Sequence, residues 1–151
     1  MVLFTYTFQV NEDGSERPPV DEARLWDLLT HKAAHPVAFV PSITGAEVVE
    51  KFDDGFVREI VLRDEVTVRE RVRLEPHRRI VFEQLDNPDL VAITNEIGRD
   101  ESDRLTFTFT ATLSAHGLAR SRVEAGFVAE NDLLFYDTAR ATINTIRLLT
   151  R

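Results

Sequence analysis

The segment VTVRERVRL, residues 66–74, sets a single carboxylate in an apolar row. Val66, Val68, Val72 and Leu74 share a face at the two-residue period of a strand, and Glu70 stands among them. An isolated ionised carboxylate on a buried face costs several kcal/mol, so Glu70 has to be paired, hydrated or protonated. Register supplies the partner. If Phe56, Ile60 and Leu62 face the same interior as Val68, the loop around Asp64 has an odd length and Arg58 lies opposite Glu70. An even loop would set Glu59 against Glu70, two like charges in contact. Pairing Leu74 with Ile80 and Val72 with Phe82 puts Gln84 on the other flank of Glu70. One strand further, Phe82 meets Ile93, and Asn95 shares the interior with Val91, Ile97, Phe107 and Phe109. The apolar face is thus expected to carry Arg58, Glu70, Gln84 and Asn95. The first three are lateral neighbours at a strand spacing of about 5 Å, close enough for a chain of charge-assisted hydrogen bonds.

Other residues with chemical potential carry less. His31 and His35 have the i, i+4 spacing of two metal ligands on a helix, but the HExxH glutamate is missing and no third ligand is evident, so no metal and no cofactor are expected. The competing reading makes them cationic side chains at a helix C-terminus. His77 in EPHRR and His116 in SAHG fall in expected turns and read as solvated. The acidic pairs Asp53-Asp54 and Asp100-Glu101, with Asp103, also occupy turns, where short polar side chains serve the backbone. No GxSxG elbow, phosphate-cradling glycine loop or dinucleotide fingerprint occurs, which leaves hydrolase, kinase and dehydrogenase readings without support.

The elements that must position this cluster follow from periodicity. Val2, Phe4, Tyr6, Phe8 and Val10 alternate as a first strand, ended by NEDGSERPP. Asp21 can cap a helix whose Leu25, Trp26, Leu29 and Ala33 recur at helical spacing and which Pro36 stops. Strand-type segments follow at 46–52, 56–63, 66–74, 79–85, 90–97 and 105–113, separated by DDG, RDE, EPH, DNPD and GRDESD. In the last of them Leu105, Phe107, Phe109, Ala111 and Leu113 lie on one side and four threonines on the other, implying one covered face and one wet face. After SAHG the period changes, and Val128, Phe135, Ala139, Thr142, Ile143, Ile146 and Leu149 fall along one side of a long helix, with Arg140, Asn144 and Arg147 off that stripe. The expected class is α+β: a curved antiparallel sheet of about seven strands under a long C-terminal helix, with a short helix after the first strand.

Composition narrows the function. The 151 residues read as one domain, 1–151, and the alternating start reads as a strand instead of a secretory signal, so the mature chain is expected to begin there. No apolar run is long enough to span a bilayer, and a formal net charge of −8 disfavours nucleic acid and anionic lipid as partners. The absence of cysteine excludes disulfides and thiolate chemistry and fits a cytoplasmic setting.

Several strings in order, namely Leu25-Trp26, PVAFVPSITGAEVVE at 36–50, Arg58-Glu59, Arg69-Glu70, Arg79 with Phe82, Thr94-Asn95-Glu96-Ile97 and Thr145-Ile146-Arg147, resemble the START/SRPBCC superfamily and within it the AtaL-like subgroup. The resemblance spans nearly the whole chain. It implies a helix-grip fold with a cavity between sheet and final helix that holds an apolar small molecule, in a superfamily of lipid carriers, hormone receptors and polyketide cyclases of secondary metabolism. It implies no fixed catalytic machinery.

Three functional readings stay open. In the first, Arg58, Glu70, Gln84 and Asn95 orient a small hydrophobic or aromatic ligand whose body is gripped by Phe107, Phe109, Phe135, Ala139 and Ile143, with Trp26 and Phe39 at the mouth or in the core beneath it. Tyr136 lies one step from the same stripe and points either to the cavity or to water. In the second, Glu70 serves a cyclase or dehydratase as general acid or base. In the third, the polar cluster only fixes register and the protein acts through contacts, for instance as a homodimer.

Overall fold

Alternating segments become strands and the two periodic segments become helices, in the order β1 (Leu3–Gln9), α1 (Glu22–Ala34), a single 3-10 turn (Pro36–Ala38), β2 (Ile43–Phe52), β3 (Gly55–Leu62), β4 (Val66–Glu75), β5 (Arg79–Gln84), β6 (Leu90–Arg99), β7 (Leu105–Leu113), α2 (Ala115–Val123) and α3 (Phe127–Leu148). The computed structural model describes residues 3–149, so Val2 lies outside the described residues. The seven strands form one curved antiparallel sheet in the order β1-β7-β6-β5-β4-β3-β2. Consecutive β1 and β2 therefore sit on opposite edges. The segment between them has to traverse the sheet, and α1 is the part that packs on it, against β2, β5 and β6, while α3 lies over β1 and β7. Both helices cover the face that carries Phe82, Phe107 and Phe109.

Asp21 caps α1 as expected, its Oδ1 accepting from the Arg24 amide at 2.8 Å, and the chain turns at Pro36. Leu25, Leu28, Leu29, Lys32 and Ala33 form the buried stripe of the helix. On the outer face of β7 the threonines form hydroxyl ladders with β1, Thr5 to Thr110 at 3.2 Å and Thr7 to Thr108 at 2.8 Å, whereas Thr106 is buried instead of wet.

The C-terminal region departs from the single helix expected. α2 ends at Val123 and α3 starts after Gly126, whose φ of +84° suits the reversal between them. Consequently Phe127, not Val128, enters the core, and Val128 and Leu149 are exposed. His116 belongs to α2, not to a turn. Arg147 is not on the solvent side: it is half-buried and ties α3 to the end of β1, donating to the Gln9 carbonyl at 2.6 Å and pairing with Glu12 at 2.8 Å. Tyr6 holds the other end of α3, its hydroxyl donating to Asp132 Oδ1 at 2.5 Å. Burial, followed by that carboxylate, pushes the Tyr6 phenol above its ordinary range.

The sheet edge depends on a close approach at Gly55, where β2 turns into β3 with φ +152°. A Cβ there would meet the Val72 carbonyl oxygen at 2.0 Å. Gly55→Ala is expected to lower stability by about 2 kcal/mol, read as a shifted urea midpoint with an unchanged slope. An unshifted midpoint would show that the turn is not needed in this conformation.

Candidate functional site

The register built around Glu70 is the one observed. Arg58 pairs across from Glu70 on one side and Gln84 on the other, and Val72 meets Phe82, which in turn meets Ile93. The Arg58 guanidinium grips Glu70 Oε1 with Nε at 2.8 Å and Nη2 at 2.6 Å, and Gln84 Nε2 donates to Oε2 at 2.5 Å. Glu70 and Arg58 are 2% and 5% exposed, so this pair is inside the protein. Arg58 also reaches α1, donating through Nη1 to the Ala33 carbonyl at 2.9 Å. That satisfies a carbonyl at the helix C-terminus, where positive charge is favoured.

A further charge joins the cluster from α1. Lys32 is 5% exposed and donates to Asn95 Oδ1 at 2.7 Å, its one hydrogen bond among the described residues. Its Nζ lies 5.1 Å from the Phe82 ring centroid and the Arg58 guanidinium 4.5 Å from the same centroid, so both basic groups contact one aromatic ring. Burial pushes the Lys32 ammonium down to about 7, the Arg58 charge pushes it the same way, and Glu70 pulls against both. Asn95 Nδ2 is buried without a partner among the described residues. The cluster therefore has more donors than acceptors.

These groups stand at the foot of a cavity of about 380 Å³. Ile60, Leu62, Val68, Phe82 and Ile93 of the sheet form its apolar wall, and Leu134, Phe135 and Thr138 of α3 close it from above. Polar side chains of the β3–β4 turn (Arg63, Glu65) and the β5–β6 loop (Asn87, Asp89) line it towards its rim. The second of these loops is tied down by α2: Asp89 accepts from Arg120 and pairs with His116 at 2.9 Å. At Gly117 a Cβ would strike the Asp89 carbonyl oxygen at 2.2 Å, so only glycine lets α2 approach this closely.

Of the residues read as a site, Arg58, Glu70, Gln84, Phe109 and Phe135 line the cavity. Asn95 stands behind the wall, as the acceptor for Lys32. Phe107, Ala139 and Ile143 are fully buried core, because α3 beyond Thr138 packs directly on the sheet and leaves no gap. Phe39 is core as well, and Trp26 is half-buried, with its ring 5.8 Å from that of His77. Val91 does not share the interior: a bulge between Leu90 and Ala92 turns it out to solvent and puts Leu90 inside. Tyr136 packs its ring against Tyr6 and Phe8 and accepts from Arg140, away from the cavity. His31 and His35 stack at 4.9 Å on the surface, and among the described residues no third ligand-type side chain joins them. Lys32 is the member of the cluster that the strand pattern does not reveal. Its signal lies in the helix, since it stands at i+7 from Leu25 and i+3 from Leu29, on the apolar stripe of α1.

Among solved structures, the chain is similar to the di-domain ARO/CYC BexL from the BE-7585A biosynthetic pathway, with a TM-score of 0.66 at 17% identity over 99% of this chain and 50% of that one. The chain thus spans about half of that di-domain protein. It is also similar to XoxI from Bacillus cereus, with a TM-score of 0.67 at 15% identity over 99% of this chain and 96% of that one. A third similar structure is the ZhuI aromatase/cyclase from Streptomyces sp. R1128, with a TM-score of 0.59 at 18% identity over 99% and 92% of the two chains. These likenesses establish the helix-grip fold. No helix among the described residues is long and apolar enough to cross a membrane. No curated protein matches the chain in sequence. The family model described as acetylaranotin biosynthesis cluster protein L, AtaL, matches residues 4–151, and the chain belongs to that family, within the START/SRPBCC superfamily that its residues resemble.

Proposed function

We propose that residues 1–151 act as one ligand-binding domain that holds a small hydrophobic or aromatic molecule between the sheet and α3, its polar end turned towards Arg58, Glu70, Gln84 and Lys32. The single observation that carries this reading is a cavity of about 380 Å³ whose walls are apolar and whose foot holds a buried, donor-rich polar cluster. Small-molecule sites have this build, with a few fixed polar groups among many apolar ones. A well-packed core gains nothing from a space that leaves wall atoms without partners.

A second reading, an enzyme of cyclase or dehydratase type, is favoured by the buried carboxylate and amine and by the aromatase/cyclase descriptions of BexL and ZhuI. Both readings need the cavity, so the cavity is the first thing to test. Native mass spectrometry of freshly purified protein is expected to retain a small molecule, and titration with 2-methylnaphthalene to saturate at one site. Leu62→Trp, which puts an indole into the cavity from the end of β3, is expected to weaken that binding at least tenfold while thermal unfolding stays cooperative. Unchanged binding in the variant would place the probe elsewhere. No retained molecule and no binding would leave a protein that acts through surface contacts.

A further inference from the structure

We propose that Lys32 is a nucleophilic amine, and that the occupant of the cavity carries an aldehyde or ketone with which Lys32 forms a reversible imine. The inference rests on the ligand-binding reading above and names the substrate class of the same site.

Three observations converge on it. Lys32 lines the cavity and is almost wholly buried, so a carbonyl that enters meets the amine away from bulk water. Its side chain makes one hydrogen bond among the described residues, to Asn95 Oδ1, and no carboxylate of those residues lies within salt-bridge distance of it; Glu70 is occupied by Arg58 and Gln84. The guanidinium of Arg58 shares the Phe82 ring with it, and a neighbouring cation together with burial is the arrangement that keeps an amine unprotonated and reactive near neutral pH. A lysine kept only for structure would have a carboxylate partner or lead its ammonium out to solvent.

The step balances without a cofactor. The Lys32 Nζ lone pair attacks the carbonyl carbon, and the carbonyl π pair moves to oxygen. Proton transfer from nitrogen to oxygen gives a carbinolamine. With one proton from solvent, water leaves and a protonated imine remains, no atom being oxidised or reduced. The imine is cationic, and the Glu70 charge that already favours the ammonium favours it in the same way.

The sequence makes the test clean, because the chain has only two lysines, Lys32 and Lys51, Lys51 is exposed on β2, and peptide mapping separates both from the α-amine, which also labels at this pH. Full-length protein is incubated at pH 7 with 2-naphthaldehyde and sodium cyanoborohydride, and adducts are located by intact mass and peptide mapping. The expected result is an adduct at the Lys32 side chain, formed at least tenfold faster than at Lys51 and slowed by excess 2-methylnaphthalene. The pH dependence of labelling at Lys32 should have its midpoint near 7. K51R keeps the adduct and K32R loses it; if K32R does not fold, peptide mapping of the wild type and K51R decides. Equal or faster labelling at Lys51, or labelling of Lys32 that 2-methylnaphthalene does not slow, overturns the inference. If 2-methylnaphthalene binds and no Lys32 adduct forms, the imine is lost and the cavity reading survives. If neither probe binds, both fail.

Discussion

Glu70→Ala is expected to destabilise the protein by about 3–5 kcal/mol, measured by urea unfolding at neutral pH, a larger loss than that expected for Gly55→Ala. The size follows from what remains behind. Without the carboxylate, Arg58 stays 5% exposed with only the Ala33 carbonyl as acceptor and the Phe82 ring beside it. Arg58 is then a buried guanidinium without a counter-charge, which costs far more than the lost hydrogen bonds alone, while Lys32, no longer favoured as an ammonium by Glu70, gives up its proton. The double replacement Arg58→Met with Glu70→Leu is expected to recover most of the loss, because a buried ion pair exchanged for apolar groups of similar volume is often neutral in stability. Recovery of that kind would mean that the pair adds little to net stability. A change below about 1 kcal/mol for Glu70→Ala would mean that water reaches the pair, as it reaches surface ion pairs.

The second large effect is a pH dependence set by Lys32. Burial first and Arg58 next push its ammonium from the ordinary 10.5 to about 7, with Glu70 opposing; Asn95 on β6 and the Phe82 ring on β5 complete its surroundings. In the unfolded chain the amine keeps its proton up to about pH 10.5, whereas in the folded protein it gives the proton up near 7. Between these values the unfolded state binds more protons, so stability rises with pH through that window. Below about pH 7 both states are protonated and the penalty is fully present; above about 10.5 it is fully relieved. The rise is on the order of 5 kcal/mol. Lys32→Met is expected to abolish the rise, and the difference between the two pH profiles removes the contributions of other groups. Methionine also leaves Asn95 unpaired, a loss of about 1–3 kcal/mol that does not vary with pH, so the slope is the readout. Parallel profiles for wild type and variant would mean that Lys32 keeps an ordinary proton affinity.

Much of the sheet was legible because strand register is a local code. Side chains alternate with a period of two, so apolar matching of Ile60 with Val68 and of Val72 with Phe82, together with the repulsion that Glu59 would have met, was sufficient to set Arg58 and Gln84 on either side of Glu70. Asp21 and Pro36 bounded α1 for equally local reasons. The code fails where one residue is added without an apolar cost, as at the bulge that turned Val91 outward, and where a helix breaks without proline, as at Gly126. Lys32 shows a different limit. Its place on the apolar stripe was readable, but its partners were not, because they come from β3, β5 and β6.

The sequence by itself determined the apolar face of β3, β4 and β5, the register among them and that Arg58, Glu70, Gln84 and Asn95 lie inward, since each of these follows from alternation and from contacts between neighbouring segments. The tertiary structure alone decided how far α1 and α3 stand apart over the sheet. That separation brings Lys32 to Arg58 and Asn95, leaves Phe107, Ala139 and Ile143 as solid core, and opens the cavity between Phe109, Phe135 and the β3–β6 wall. The spacing of two helices on a curved sheet results from many side chains packing at once, and no short window of residues encodes it.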